Sequence, residues 1–186
     1  LLATTPDGEA LLTDGPGNRG LDFNNDADFI GSGAIGQSDN FTNLWTGTLN
    51  AQNDPGDYVF RINSRDDNAY IFVDVNGDGL DQGDLTNNNN QSTNVTVSNL
   101  TGPTEIAVIH REGGGGSHVD IQIQSPSMSG RESIKPTSPN QAGLWTSTQD
   151  LGRLDNAVTV VSASTIAVAS AASSPKVTLT NLTIAD

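Results

Sequence analysis

The sequence predicts an all-β fold, an antiparallel β-sandwich or barrel whose strands are joined by long polar loops. Three observations predict it. Apolar residues alternate with others through Tyr58, Phe60 and Ile62, through Tyr70 and Phe72, through Ile106 and Val108, and through Val119, Ile121 and Ile123, which is the period of a half-buried strand. Gly, Asn, Asp, Ser and Thr punctuate the chain at intervals of roughly eight to twelve residues, as turns of a sandwich do. No stretch carries a convincing amphipathic helical period.

The strands follow in order. Gly20–Phe23, Leu44–Leu49, Gly56–Asn63, Ala69–Asp74, Asn94–Asn99, Thr104–His110 and His118–Gln124 are bounded by turn residues and rich in β-branched or aromatic side chains. Three polar loops separate them: Asn63–Asn68, the excursion Asp74–Ser92 with its four consecutive asparagines, and Arg111–Ser117 with four consecutive glycines. A loop as long as Asp74–Ser92 inside a compact domain is usually functional or ordered by a ligand. Residues 1–130 are therefore expected to form the β-sandwich. In residues 131–186 the texture turns to Ser, Pro, Thr and Ala, with Ala157–Ala169 and Lys176–Ile184 reading as simple strands. That extension either packs on the first domain or leads into a stalk.

Composition narrows the function. Eight basic residues against 22 acidic ones give a formal charge of −14. With no basic cluster beyond a single pair, nucleic acid and anionic membrane surfaces are poor partners. The absence of cysteine removes disulfides, thiolate metal sites and thiol nucleophiles. Apolar residues reach only 34%, close to the composition of disordered chains, so the alternating pattern is what argues for a fold. No run of ~18 apolar residues is present to span a membrane. The chain begins at Leu1 with neither an initiator Met nor a basic and apolar leader, and it reads as a piece of a larger protein.

The sharpest local signal is Asp74-Val75-Asn76-Gly77-Asp78-Gly79-Leu80-Asp81-Gln82-Gly83-Asp84. It places oxygen side chains at loop positions 1, 3 and 5 (Asp74, Asn76, Asp78), a glycine at 6 and the Leu80 carbonyl at 7, a spacing suited to calcium. The bidentate Glu of an EF-hand is missing, because Leu85 stands at position 12, so Asp84 or Asp81 has to substitute. Clustered carboxylates repel unless a cation sits among them. The alternative is an Asn/Asp/Gly turn without an ion.

Ser64-Arg65-Asp66-Asp67-Asn68 lies between two strands, where Asp and Asn are ordinary turn residues. Its neighbours are more telling: Leu44-Trp45-Thr46-Gly47-Thr48-Leu49, then Gly56-Asp57-Tyr58-Val59-Phe60, then Asp66-Asp67, and last the strand Ile106–His110 running into Arg111-Glu112-Gly113-Gly114. From about Gly20 to Pro126 this succession resembles the PA-14 domain family, the lectin-like β-barrel of anthrax protective antigen, yeast flocculins and bacterial adhesins. The resemblance implies that Asp66 and Asp67 are joined by a cis peptide and share one calcium, which contacts sugar hydroxyls. It also implies a second ligand loop, Glu112 with the carbonyls of Gly114 and Gly116. Arg65, Arg111, Ser117 and His118 are the neighbours placed to touch a glycan. Four glycines leave the outer face of such an ion uncovered, and a calcium of 6–8 flexible oxygen ligands accepts vicinal hydroxyls there.

Other acidic stretches read as blander. Asp22–Asp28 reads as a solvated strand end rather than a cation site, and Asp39-Asn40 is ambiguous. His110 and His118 lack the third ligand that zinc requires. The N-x-[ST] triplets at Asn40, Asn94, Asn99 and Asn181 are expected by chance in a chain this rich in Asn and Thr.

Two functions result. One is a calcium-dependent carbohydrate-binding module of a secreted or cell-surface bacterial protein, a monomeric unit of a larger chain binding cell-surface glycans or polysaccharide. It would carry one Ca2+ at the glycan site and at least one structural Ca2+. The other is a calcium-rigidified spacer of a large surface adhesin. An enzyme is not expected: there is no G-x-S-x-G elbow, no H-E-x-x-H and no phosphate loop, and the acids sit in loops rather than facing each other across a cleft as glycosidases require. If two loops each bind one calcium, the charge of −14 falls to about −10.

Overall fold

In the computed structural model, which describes residues 8–11, 15–31 and 38–146, the alternating segments pair into two sheets. The strands are β1 (Gly8–Leu11), β2 (Asp22–Phe23), β3 (Phe41–Asn50), β4 (Gly56–Arg65), β5 (Asn68–Val73), β6 (Leu85–Asn88), β7 (Asn94–Leu100), β8 (Pro103–Glu112), β9 (Val119–Gln124) and β10 (Glu132–Ser133). One sheet has the order β1-β3-β8-β5-β6 and the other β10-β9-β4-β7, with β2 also on β9. The strand pairs are antiparallel except β1 on β3. The fold is thus an all-β sandwich, and all seven strands expected from the sequence are present within a few residues.

The inner faces carry the alternation. Phe41, Trp45 and Leu49 of β3, Tyr58, Phe60 and Ile62 of β4, Ile106 and Val108 of β8, and Val119, Ile121 and Ile123 of β9 are all buried in one cluster. Burying a side chain of this kind is worth roughly 1.5–3 kcal/mol, which is how a weakly apolar chain still holds a core. At one end of it the rings of Trp45, Phe23, Phe29 and Phe41 pack in series, each tilted on the next, at centroid distances of 4.6–5.3 Å.

The first sheet is also covered on its outer face. Phe72, Ala107 and Ile109 form a second cluster there, with Leu44, Tyr70, Leu80 and Leu85 packed against it. The loop 74–84 folds back so that Leu80 covers the sheet. β8 is accordingly buried on both faces from Ile106 to His110, which is why its sequence runs Ile-Ala-Val-Ile instead of alternating.

Several expectations change. The stretch Asp22–Asp28 leads into a short helix, α1 (Asp26–Gly31), begun by the Asn25 Oδ1 that accepts from the Ala27 amide at 3.0 Å and directed by Phe29, which is fully buried. The sandwich also runs past residue 130. Met128, Ile134, Leu144 and Trp145 enter the core, β10 pairs with β9, and Trp145 bridges to Leu49, so the first compact unit ends at Ser147. The expected strands Ala157–Ala169 and Lys176–Ile184 lie outside the described residues. Among the described residues no helix is long and apolar enough to cross a membrane.

Candidate metal and ligand site

Two acidic constellations emerge, one at each end of the six-residue strand β5. At its far end, Asp74, Asp78 and Asp84 each bring a carboxylate oxygen within 4.8 Å of the others, the one group of three acidic or imidazole side chains that does so among the described residues. These are positions 1, 5 and 11 of the loop. Asp74 and Asp84 are buried and Asp78 is exposed.

The backbone explains the convergence. Asp74 Oδ1 accepts from the Gly77 amide at 2.7 Å and Oδ2 from the Gly79 amide at 3.0 Å, while both glycines take positive φ, 74° and 96°, a curl open to residues without Cβ. Asp84 Oδ2 accepts from the Asp81 amide at 2.7 Å, and Asp81 in turn accepts from Gly83, closing a capping box. Asn76, expected as a ligand, is hydrogen-bonded to Asp78, its Nδ2 reaching Oδ2 at 3.0 Å and its Oδ1 accepting from the Asp78 amide at 3.2 Å. Leu80 serves the outer apolar cluster with its side chain.

At the near end, Asp66 and Asp67 form the two-residue connection between β4 and β5. The resemblance implies a cis bond between them, but the described residues contain no cis peptide; the bond is trans, and Asp67 turns the chain with φ +48°, a left-handed conformation that Asp tolerates better than most residues. The turn is held from every side. The Asp66 amide donates to the His118 carbonyl at 2.8 Å, and Asp66 Oδ1 accepts from the Asp67 amide at 3.0 Å. His110 Nε2 lies 3.2 Å from the Asp66 carbonyl, and Arg65 donates to the Asp67 carbonyl. Asp66 and Asp67 together with Glu112 do not form a group as tight as Asp74, Asp78 and Asp84.

The β3–β8 and β5–β8 registers put Glu112 opposite Phe41 and Arg111 opposite Asn68, which carries the start of the glycine loop to the Asp66–Asp67 turn. Asp67 Oδ2 accepts from the Gly113 amide, and a Cβ at Gly113 would lie 2.9 Å from that oxygen, so a larger residue there requires the Asp67 carboxylate to shift. Glu112 is 1% exposed. Its Oε1 accepts from the Gly114 amide at 2.8 Å, and its Oε2 is buried with no partner. Burial, with the nearby Asp67 and Asp66 charges added, pushes the Glu112 carboxyl up to about 7, whereas the Gly113 amide holds Asp67 below the usual carboxylate range. The two carboxyls interact, and of the two Glu112 is the one that keeps a proton to the higher pH.

His110, beneath the turn, is fully buried, stacked on Phe29 at 5.3 Å and edge-on to Phe41 at 5.8 Å. Desolvation pushes its imidazole down to about 4. With Nε2–H given to the Asp66 carbonyl, its Nδ1 is buried without a partner.

The expected sugar-contacting residues divide. Arg111 is exposed and His118 half-exposed at the rim. Arg65 spends its guanidinium on the Asp67 and Asn89 carbonyls, and so ties the turn to the asparagine loop. Ser117 is not available: it is 1% exposed, its hydroxyl donates to the Ser38 carbonyl at 2.8 Å and its amide to Asp26 Oδ1 at 2.6 Å. The Gly115 amide donates to Asp39 Oδ1 at 3.0 Å. In a trans peptide N–H and C=O point oppositely, so the Gly114 carbonyl points away from Asp39 and the Gly116 carbonyl away from Asp26. Asp26 and Asp39 belong to this rim, and no local sequence signal marks them.

Compared with known proteins, the chain matches no family model and no curated protein.

Proposed function

We infer that this protein is a calcium-dependent carbohydrate-binding module of a bacterial cell-surface or secreted protein. The observation that carries the reading is Glu112: a carboxyl 1% exposed, beside Asp67, with one oxygen buried and unpartnered. Ionising such a carboxyl without a partner would cost several kcal/mol, and a divalent cation bound by Asp66, Asp67 and Glu112 would remove that cost. The donor set is all oxygen, which suits calcium over softer metals. A calcium ion there supplies open coordination positions that vicinal sugar hydroxyls can fill. This chain's residues would do the rest: Asp66, Asp67 and Glu112 would hold the ion, the glycine loop would leave its approach uncovered, and Arg111 and His118 at the rim would offer donors that discriminate among sugars. The PA-14 resemblance of residues 20–126 supports the same assignment. Shallow single sites of this kind bind modestly, and a surface-displayed, multivalent parent protein raises the avidity.

A second reading, a calcium-rigidified spacer, is favoured by the cluster of Asp74, Asp78 and Asp84. The two separate in one experiment, glycan-array binding of the wild type and of Asp66→Ala/Asp67→Ala, each in calcium and in chelator. The lectin reading expects binding by the wild type in calcium and in none of the other three conditions. Absence of any glycan binding by folded, calcium-loaded wild type, together with a melting temperature lowered by chelation, refutes it in favour of the spacer.

A further inference from the structure

The glycine loop is a problem for any site built on it. Four consecutive glycines have more backbone freedom to lose than any other four residues, and ordering each residue costs on the order of 1–2 kcal/mol of backbone entropy, most for glycine. A loop that has to be ordered at the moment of binding subtracts that cost from affinity. Here it is already ordered by side chains from a distant segment. The Gly115 amide is held by Asp39 Oδ1 at 3.0 Å and the Ser117 amide by Asp26 Oδ1 at 2.6 Å, while the Ser117 hydroxyl is fixed to the Ser38 carbonyl at 2.8 Å. Asp39 Oδ2 is steadied by the Ser38 hydroxyl at 3.1 Å. With Gly113 held by Asp67 and Gly114 by Glu112, four of the five amides from Gly113 to Ser117 end on a carboxylate. The unpartnered buried Oε2 of Glu112 lies at the root of this loop.

We propose that Asp26 and Asp39 are positioning residues of the glycan site: they clamp the glycine loop, and with it the carboxyl of Glu112, in the ligand-binding shape without touching ion or sugar. This rests on the lectin reading above and extends it to two residues, Asp26 and Asp39, outside the motifs that carry the resemblance. The role needs an acceptor oxygen at each position, not a charge. Asparagine supplies that oxygen; alanine does not.

The test compares Asp26→Ala/Asp39→Ala with Asp26→Asn/Asp39→Asn against a glycan that the wild type binds on the array, by titration in calcium. Losing two charge-assisted hydrogen bonds that preorganise the loop weakens the alanine variant by at least about tenfold, and the asparagine variant stays within roughly threefold of wild type, since a neutral acceptor retains about half the strength of a charged one. Amide exchange at Gly115 and Ser117 speeds up in the alanine variant and not in the asparagine one. Asp39 is exposed, so Asp39→Ala alone keeps the comparison usable if the double variant does not fold. Wild-type affinity in the alanine variant, or equal loss in the asparagine variant, overturns the positioning role while leaving the lectin reading intact. A wild type that binds no glycan in calcium removes both.

Discussion

Replacing Glu112 by glutamine separates the cost of its buried charge from the benefit of its position. Glu112 rises from an ordinary 4.5 to about 7. Between those values the folded protein keeps a proton that the unfolded chain has released, so wild-type stability falls as pH rises through that window and levels off above it. A rise from 4.5 to about 7 converts to about 3 kcal/mol. Sharing of the proton with Asp67 reduces the expected effect to ~1–2 kcal/mol. A glutamine at this position cannot ionise, so in chelator Glu112→Gln should match wild type near pH 4.5 and exceed it by that amount at pH 8. Calcium should invert the order at pH 8, because the ion stabilises whichever protein binds it by mass action and the glutamine variant lacks the anionic ligand. The assay is urea unfolding from pH 4.5 to 8, with and without calcium. A stability difference between variant and wild type that does not change with pH in chelator refutes the buried-carboxyl argument.

Two further outcomes are expected. His110, lowered from 6.5 to about 4 by burial, is neutral in the fold and charged in the unfolded chain below its ordinary value; its contribution is present above pH 6.5 and is lost as pH falls towards 4, by up to about 3 kcal/mol. In the Glu112→Gln background, acid-induced loss of melting temperature between pH 6.5 and 4 should therefore shrink when His110→Phe is added, and an unchanged slope would contradict it. For the far loop, calcium at about 100 times that loop's dissociation constant should add roughly 2.7 kcal/mol to wild-type stability beyond the contribution of the Glu112 site; in a thermal melt Asp74→Asn/Asp84→Asn should lose this far-loop share, while Asp66→Ala/Asp67→Ala keeps it and loses the other.

The strands are legible where side chains obey a period of two, and so is the far loop, because its acids are spaced within eleven residues and the turn that gathers them is local. What escapes the sequence is long-range or two-sided. β6 reads Leu-Thr-Asn-Asn, with no alternation to declare it, and exists because β5 offers a partner edge. The segment after residue 130 reads as an extension that packs on the first domain or leads into a stalk, and the fold shows single apolar residues, Ile134, Leu144 and Trp145, pinning its start into the core. Asp26 and Asp39 carry ordinary turn-residue signatures, and only the fold reveals that they end on amides 91 and 76 residues later. Glu112 can be named from the sequence, but not its burial opposite Phe41. Ser117 misleads for the same reason: a polar residue beside glycines looks exposed until the segment that covers it is known.

The pairing of β3 with β8 has a kinetic side. Phe41 and Glu112 face each other although about 70 residues separate them in sequence, and the same register delivers the glycine loop to Asp67. Closure over that span precedes any reward from the contacts it makes, which places such pairings among the slow steps of β-protein folding. A nascent chain therefore exposes the hydrophobic edge of β3 well before β8 arrives to cover it. The rim is then the last part of the molecule to become competent, so ligand binding would report on complete folding more faithfully than strand content does.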